Sequence, residues 1–207
     1  MNVLIGCEYT GIGQKAFEEV GCNAWSCDLD PTEGNPDRHL QCDIFKAVNI
    51  TMWRWDLIIL MPDCTKMAVC GNGTWAGTKE RSEAIEWTLN LWLEANRVCD
   101  KVCMENPQSV IHPVLRQHGA DTQYIQPWMF GHPETKKTGL SKTGLPDLVE
   151  TDNVYEKMMK LPPKERHRIW YMSPSDKRGK DRSRSYPGIM KALAEQWGTA
   201  QTEPNPE

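Results

Sequence analysis

The chain has 207 residues, 39% of them hydrophobic, with 24 basic and 28 acidic side chains and a net charge of −4, which is ordinary for one soluble globular domain. Its longest fully apolar run covers residues 57–62, far fewer than the roughly 20 residues that cross a bilayer. Because Glu8 interrupts the first apolar stretch, neither a membrane span nor a secretory signal is expected.

The first third of the chain predicts a strand, a helix and a second strand. Apolar residues 3–5 form the first strand, and a glycine-bearing turn leads to a helix over residues 14–20 that ends at Gly21. The second strand, residues 24–27, ends at Asp28.

The middle of the chain repeats this alternation. Residues 57–60 are a continuous apolar run, typical of a central parallel strand. A long amphipathic helix is predicted over about residues 78–97, with Ile85, Leu89, Trp92 and Leu93 on its apolar face. Residues 102–104 form a further strand that ends at Glu105. The alternation predicts an α/β fold with a mostly parallel sheet flanked by helices.

The last part of the chain has a different composition. Residues 143–185 are rich in proline and basic residues and predict a small irregular insertion within a single domain of residues 1–198. A final helix begins at Pro187 and ends at Gly198, with Ile189, Ala192, Leu193 and Trp197 on its apolar face. Residues 199–207 are expected to form a disordered tail.

Charge is concentrated in the insertion. Ten basic and three acidic side chains lie between residues 157 and 184, so the rest of the chain is strongly acidic. A basic segment on an acidic body suggests a localised contact with a polyanion, and a solvated loop is the alternative. The candidate contact residues are Arg166, Arg168, Arg182 and Arg184.

Several polar or glycine residues directly follow predicted strands. They are Gly11, Gly13, Asp28, Cys64 and Glu105. Ligands of parallel sheets bind beyond the carboxyl ends of the strands, so these residues are expected to meet in one crevice. Taken singly, the glycines also fit a tight turn, Cys64 a buried structural cysteine, and Glu105 a helix cap. Asp43 is a further polar candidate, or a surface-turn residue.

The eight cysteines include no Cys-x-x-Cys pair and no accompanying paired histidines. A zinc site is therefore not expected, and a reducing, cytoplasmic compartment is.

Together, the motifs resemble the DNA cytosine-5 methyltransferase family, and compact phage-borne members in particular. Residues 9–14 are similar to its glycine loop for S-adenosylmethionine, and residues 56–64 to its Asp-led strand and Pro-Cys loop. Residues 102–106 resemble its Glu-Asn motif, and residues 131–136 its Gly-x-Pro-Gln-x-Arg segment, with Lys136 at the arginine position.

The resemblance implies a Rossmann-like, S-adenosylmethionine-dependent methyltransferase fold and methylation of cytosine carbon 5 in DNA, with the cytosine flipped out of a duplex. It implies cofactor binding by Tyr9, Gly11, Gly13, Asp28, Asp43 and Pro62, and catalysis by Cys64, Glu105 and Lys136. In that reaction the Cys64 thiolate adds to ring carbon 6, Glu105 holds ring nitrogen 3, and the basic segment contacts phosphates.

Two departures from the family pattern leave other functions open. Asp63 occupies the position directly before Cys64, where the family has proline, and an adjacent carboxylate raises a thiol pKa. The family's large target-recognition domain is replaced by about 40 residues. The alternatives are methylation of a free pyrimidine nucleotide or a single strand, and a catalytically silent nucleic-acid- or cofactor-binding module.

Overall fold

The computed structural model describes residues 1–173, 175 and 178–199, and a seven-stranded sheet forms its centre. The strands are β1 (Asn2–Gly6), β2 (Asn23–Asp28), β3 (His39–Gln41), β4 (Leu57–Leu60), β5 (Val102–Pro107), β6 (Asp121–Ile125) and β7 (Thr138–Thr143). Their order across the sheet is β3-β2-β1-β4-β5-β7-β6. The first five in this order are parallel, and β7 is antiparallel to both of its neighbours.

Helices cover the sheet and also occur in the insertion. They are α1 (Ile12–Glu19), α2 (Ile44–Val48), α3 (Asn72–Trp75), α4 (Lys79–Val98), α5 (Ile111–Gln117), α6 (Tyr155–Met159), α7 (Pro163–Arg166), α8 (Arg168–Tyr171), α9 (Arg178–Ser183) and α10 (Pro187–Trp197). No helix within the described residues is long and apolar enough to span a membrane.

The two faces of the sheet carry separate hydrophobic cores. Successive strand side chains point to opposite faces, so Val3 and Ile5 lie in one core and Leu4 in the other. Helices α1 and α10 close the first core, and α2, α4 and α5 close the second. Burial on both faces explains why β4 is apolar throughout. The predicted Rossmann-like, mostly parallel sheet flanked by helices is confirmed.

Most predicted helix ends agree with the structure. Gly21 has a φ of +85°, and its N–H donates to the carbonyl of Glu18 at 2.9 Å, which ends α1 as predicted. Thr78 caps α4 by accepting a hydrogen bond from the N–H of Arg81 at 3.3 Å. In α10, all four predicted apolar residues are buried.

The prediction of the apolar face of α4 is wrong for Leu93. Leu93 is 45% exposed, whereas Thr88, Leu91, Trp92 and Ala95 are buried. An α-helix turns about 100° per residue, so Leu93 lies beyond Trp92 on the side that faces away from the sheet.

Strand β5 is longer than predicted. It continues to Pro107 because β7 pairs with it there, with Glu105 opposite Leu140 and Pro107 opposite Thr138. Glu105 therefore lies inside a strand rather than after its end. Its parallel neighbour β4 stops opposite Met104, so Glu105 still projects beyond β4.

The insertion is more regular than predicted, because it contains the four short helices α6–α9. Of the basic segment, Lys177 lies outside the described residues, as does Asp176. The predicted tail lies outside them too, apart from Thr199.

The start of α10 allows no side chain at Gly188. Its N–H donates to Nε2 of His132 at 2.9 Å. A Cβ there would overlap the carbonyl oxygen of Phe130 and lie 2.9 Å from His132 Nε2. Gly188→Ala is therefore expected to destabilise the protein by about 1–3 kcal/mol.

The measurement is thermal unfolding, in which the melting temperature of Gly188→Ala falls by at least about 2 °C. Gly73→Ala in α3 is the control, because nothing lies within 4 Å of a Cβ at Gly73. Equal melting temperatures for the two variants would contradict the close approach of α10 to residue 130.

Candidate active site and cofactor cavity

A cavity of about 650 Å³ lies at the carboxyl ends of β1–β4. Three predicted cofactor-binding residues line it, namely Tyr9, Asp28 and Asp43. Its volume is in the usual range for a small-molecule site. A crevice is therefore present at this edge of the sheet, and we call it the acidic cavity. Of the five residues expected to meet in one crevice, only Asp28 lines it.

The other three predicted cofactor-binding residues do not lie in the wall of the acidic cavity. Gly11 has a φ of +72°, and a Cβ there would lie 2.6 Å from Cα of Gly34. A Cβ at Gly13 would lie 3.1 Å from the side chain of Ile5. Pro62 is buried, and its carbonyl accepts a hydrogen bond from Asn106 at 3.3 Å. The two glycines thus allow close packing of the loop.

The amino end of α1 faces a carboxylate of the chain itself. Glu8 is buried, and its side chain accepts a hydrogen bond from the hydroxyl of Thr10. Burial raises the pKa of Glu8, while the hydrogen bonds from Thr10 and from the amides of Gly11 and Ile12 oppose that shift. A carboxylate of the chain itself therefore occupies the amino end of α1.

The walls of the acidic cavity combine carboxylates with aromatic rings. The carboxylates belong to Asp28, Asp30, Asp43 and Asp63. The rings of Tyr9 and Trp87 lie in the same wall. Lys66 and Lys180 also line the cavity, so its carboxylates outnumber its ammonium groups by four to two. Such a wall suits a ligand that has an aromatic ring, hydroxyl or amino donors, and positive charge. Sequence reasoning missed Trp87, which lies in the middle of α4 where tryptophan also fits core packing.

The three predicted catalytic residues are neighbours at the same edge of the sheet. Burial raises the pKa of the Cys64 thiol to about 11, with the Glu105 carboxylate and then Asp63 adding to the shift and the Lys136 ammonium opposing it. Burial also raises the pKa of Glu105, against the Lys136 ammonium and the Thr138 hydroxyl. The thiol, the carboxyl group and the ammonium group are thus close enough to influence one another's charge.

Cys64 lies at the start of a turn after β4 and is only half-buried. Its carbonyl accepts hydrogen bonds from the N–H groups of Met67 and Ala68, at 3.0 and 2.8 Å. The neighbouring Asp63 carboxylate accepts from the N–H and the hydroxyl of Thr65, at 3.0 and 2.6 Å. Asp63 is exposed, which explains why its effect on the Cys64 pKa is smaller than that of Glu105.

The space beside Glu105 and Lys136 is closed in this structure. A cavity of only about 20 Å³ remains there, bounded by Met61, Ser185 and Tyr186. That is about the room of one water molecule. A ligand larger than water can therefore reach Glu105 only if the residues that bound this cavity, such as Ser183, Ser185 and Tyr186, move.

The segment that closes this space also borders the acidic cavity. We call residues 178–185, which comprise α9 and the two residues after it, the strap. Its Lys180 forms an ion pair with Asp30 at 2.7 Å, and its Arg184 one with Glu33 at 2.6 Å. Lys136 Nζ donates to the backbone carbonyl of Arg182 at 3.2 Å. Exposed ion pairs of this kind are worth at most about 1 kcal/mol each, so the strap is held only weakly.

Two of the four arginines predicted to contact nucleic acid already have carboxylate partners in the protein. Arg184 pairs with Glu33, and Arg168 makes two 3.0 Å hydrogen bonds to Glu134, so both charges are already balanced. Arg166 contacts Met159, and Arg182 contacts Cys70. In the described part of the chain, neither Arg166 nor Arg182 forms an ion pair. Part of the basic segment thus forms ion pairs with the acidic loop of residues 28–33. The number of charges in the sequence does not reveal these pairs.

No group of three metal-ligating side chains is found in residues 1–173, 175 and 178–199.

Comparison with known proteins finds similarity at the level of structure. No family model matches the chain, and no curated protein matches its sequence. A solved structure described as a DNA modification methyltransferase encoded within an E. coli prophage is 14% identical, with a TM-score of 0.46, over 79% of this chain and 56% of that one. The Dnmt2 methyltransferase of S. pombe is 16% identical, with a TM-score of 0.47, over 96% and 65%.

The Entamoeba histolytica methyltransferase EhMeth is 11% identical, with a TM-score of 0.48, over 74% of this chain and 57% of that one. The chain thus spans less than two thirds of the length of each of these structures. Its function is therefore inferred from the side chains of the site.

The charges around Cys64 predict opposite changes in thiol reactivity. Glu105→Gln removes the negative charge and should lower the Cys64 pKa, so alkylation by iodoacetamide at pH 9 becomes about three- to tenfold faster. Lys136→Met removes the opposing positive charge and should slow alkylation by a similar factor. In the unchanged protein the rate should continue to rise up to about pH 11.

The measurement follows the Cys64 peptide by mass spectrometry, with N-acetylcysteine in the same solution as the reference thiol. Asp63→Asn is the matched control, because it removes a charge whose effect is smaller and should accelerate alkylation less than Glu105→Gln. Changes in the same direction for Glu105→Gln and Lys136→Met would indicate altered access to the thiol and contradict the electrostatic account.

Proposed function

We propose that the protein methylates cytosine at carbon 5 in DNA, with S-adenosylmethionine as the methyl donor and Cys64 as a covalent nucleophile. The observation that carries this proposal is the proximity of Cys64, Glu105 and Lys136 beside the acidic cavity. A thiol, a carboxyl group with a raised pKa and a cation are the groups that covalent activation of a pyrimidine ring requires.

The acidic cavity fits S-adenosylmethionine by its chemistry. Asp28 and Asp43 would accept hydrogen bonds from ribose hydroxyls and the adenine amino group, and Tyr9 would contact the adenine ring. The carboxylate-rich wall favours the positive charge of the sulfonium. When bound, this cofactor supplies an electrophilic methyl group. Gly11, Gly13 and Pro62 would support the loop from behind.

Cys64 begins the reaction. Its thiolate adds to ring carbon 6, and the electron pair of the carbon 5–carbon 6 double bond moves so that carbon 5 becomes nucleophilic. Glu105, whose pKa is raised by burial, would in its protonated form donate a hydrogen bond to ring nitrogen 3 and stabilise the developing negative charge there. After methylation a base removes the carbon 5 proton, and the ring expels the Cys64 thiolate.

Glu105 and Cys64 are coupled through charge. The ionised Glu105 carboxylate raises the thiol pKa, so a neutral Glu105 that binds ring nitrogen 3 no longer opposes thiolate formation. Lys136 lowers the thiol pKa in either case. Base binding would therefore activate the nucleophile, and the enzyme would hold a less reactive thiol in its absence.

The strap must open for this reaction. Its displacement would free Lys136 from the Arg182 carbonyl and open the small cavity beside Glu105. Phosphates offer alternative partners to Lys180 and Arg184, whose present carboxylate partners are exposed. DNA binding by this segment should weaken with salt and give little base-specific recognition.

A second candidate is a catalytically silent binding module. It is favoured by the Cys64 pKa of about 11 and by the small volume beside Glu105. It predicts binding of cofactor or DNA without turnover. Asp63→Pro removes one of the charges that raise the thiol pKa, and under this candidate it should restore activity.

Methyl transfer from radiolabelled S-adenosylmethionine to DNA tests the proposal. Cys64→Ser should lower incorporation by at least about a thousandfold, because a hydroxyl cannot replace the thiolate. Glu105→Gln should lower it by about a hundredfold. Cys22→Ser is the matched control, since Cys22 lies in the core on the α1 and α10 face and its Sγ contact with the Gly198 carbonyl suits a hydroxyl.

Equal incorporation by Cys64→Ser and Cys22→Ser would reject Cys64 as the nucleophile. Cofactor binding without any incorporation by the unchanged protein would favour the silent module.

A further inference from the structure

A second large cavity borders Lys136, which also bounds the small cavity beside Glu105. It has a volume of about 530 Å³ and runs between residues 68–70, which follow the Cys64 turn, and helix α8. We call it the aromatic cleft. The side chains that give it its character are Lys136, Lys137, His167, Trp170, Tyr171 and Arg182.

Two large aromatic side chains on α8 are exposed to water. Trp170 is 72% exposed and Tyr171 is 50% exposed, and both line the aromatic cleft. Exposed neighbouring aromatic residues of this size commonly mark an interaction site.

Several contacts fix the position of helix α8, and with it the position of its aromatic residues. Ile169 points into the protein and is buried. Arg168 makes two hydrogen bonds to Glu134, each of 3.0 Å. His167 Nδ1 lies 2.8 Å from the hydroxyl of Thr135, and the N–H of Thr135 donates to the Arg166 carbonyl at 2.8 Å. These contacts fix the orientation of α8, in which Trp170 and Tyr171 face the solvent.

The charge of the aromatic cleft is opposite to that of the acidic cavity. Its wall contains the cations of Lys136, Lys137 and Arg182, and none of its described lining residues is acidic. Lys137 Nζ lies 4.6 Å from the centre of the Tyr124 ring and is exposed. A partner of this surface therefore carries negative charge together with flat apolar groups.

We infer that the aromatic cleft binds single-stranded DNA, with unpaired bases stacked on Trp170 and Tyr171 and phosphates near Lys137 and Arg182. In a duplex the faces of the bases are covered by their neighbours, whereas an unpaired strand exposes them to stacking. The inference rests on the proposed function and defines its substrate as a cytosine within an unpaired strand. Lys136 borders both this cleft and the space beside Glu105, so a strand in the cleft would lead one nucleotide towards Cys64.

Fluorescence anisotropy with a labelled single strand of about 12 nucleotides, without cofactor, tests the inference. Trp170→Ala should weaken binding about tenfold or more, and Trp170→Phe should restore most of it, because stacking needs a ring. Tyr155→Ala is the matched control, since Tyr155 is also exposed, at 45%, but lies outside the cleft. Both substituted side chains are largely exposed, and thermal unfolding verifies that the variants are folded.

Two further probes separate stacking from charge. An abasic strand of the same length keeps its phosphates but lacks bases, so it should bind more weakly than the normal strand and be insensitive to Trp170→Ala. A duplex of the same sequence should likewise be insensitive to Trp170→Ala, whereas Arg182→Ala should weaken binding of all three probes and reduce the salt dependence.

Equal affinities of Trp170→Ala and Tyr155→Ala for the single strand would overturn the inference. The inference would also be overturned if the duplex bound more tightly than the single strand and Trp170→Ala weakened both to the same extent. These results are independent of methylation. Trp170-dependent strand binding without methyl transfer would reject the proposed function alone, and methyl transfer that is unchanged in Trp170→Ala on every DNA form would reject the cleft alone.

Discussion

Lys136 connects the chemical groups of the site with the segment that closes it. Its ammonium opposes the raised pKa values of both Cys64 and Glu105, and it also donates to the backbone carbonyl of Arg182 in the strap. One cation thus interacts with the candidate nucleophile, the candidate acid and the closing segment. Opening of the strap would release Lys136 at the moment when the space beside Glu105 becomes available, so access and charge change together.

Two regions near the candidate active site carry opposite charges. The acidic cavity, with four aspartates, lies on one side of Met61, and the aromatic cleft, with three cations, lies beyond Lys136. A cationic cofactor and an anionic strand would therefore be attracted to different places. The proposed reaction needs both to meet at Cys64, and the small cavity bounded by Met61 and Glu105 lies between the two regions.

The sequence was sufficient for the parallel part of the sheet, for a crevice lined by Asp28 and Asp43, and for the proximity of Cys64 to Glu105, because apolar runs and strand ends are local signals. It was insufficient where a contact depends on distant partners. The extension of β5 requires β7, the exposure of Leu93 depends on where α4 meets the sheet, and the balanced charges of Arg168 and Arg184 depend on Glu134 and Glu33. The structural roles of Gly11 and Gly13 depend on Gly34 and Ile5 in the same way.

Covalent trapping tests the central claim most directly. A single strand that carries 5-fluorocytosine retains fluorine at carbon 5, so the base cannot be released after methyl transfer because there is no proton to remove. With S-adenosylmethionine present, the account predicts a stable protein–DNA adduct, attached at Cys64 by peptide mass spectrometry and absent in Cys64→Ser. Strand and cofactor binding without any adduct, or attachment at another cysteine, would contradict it.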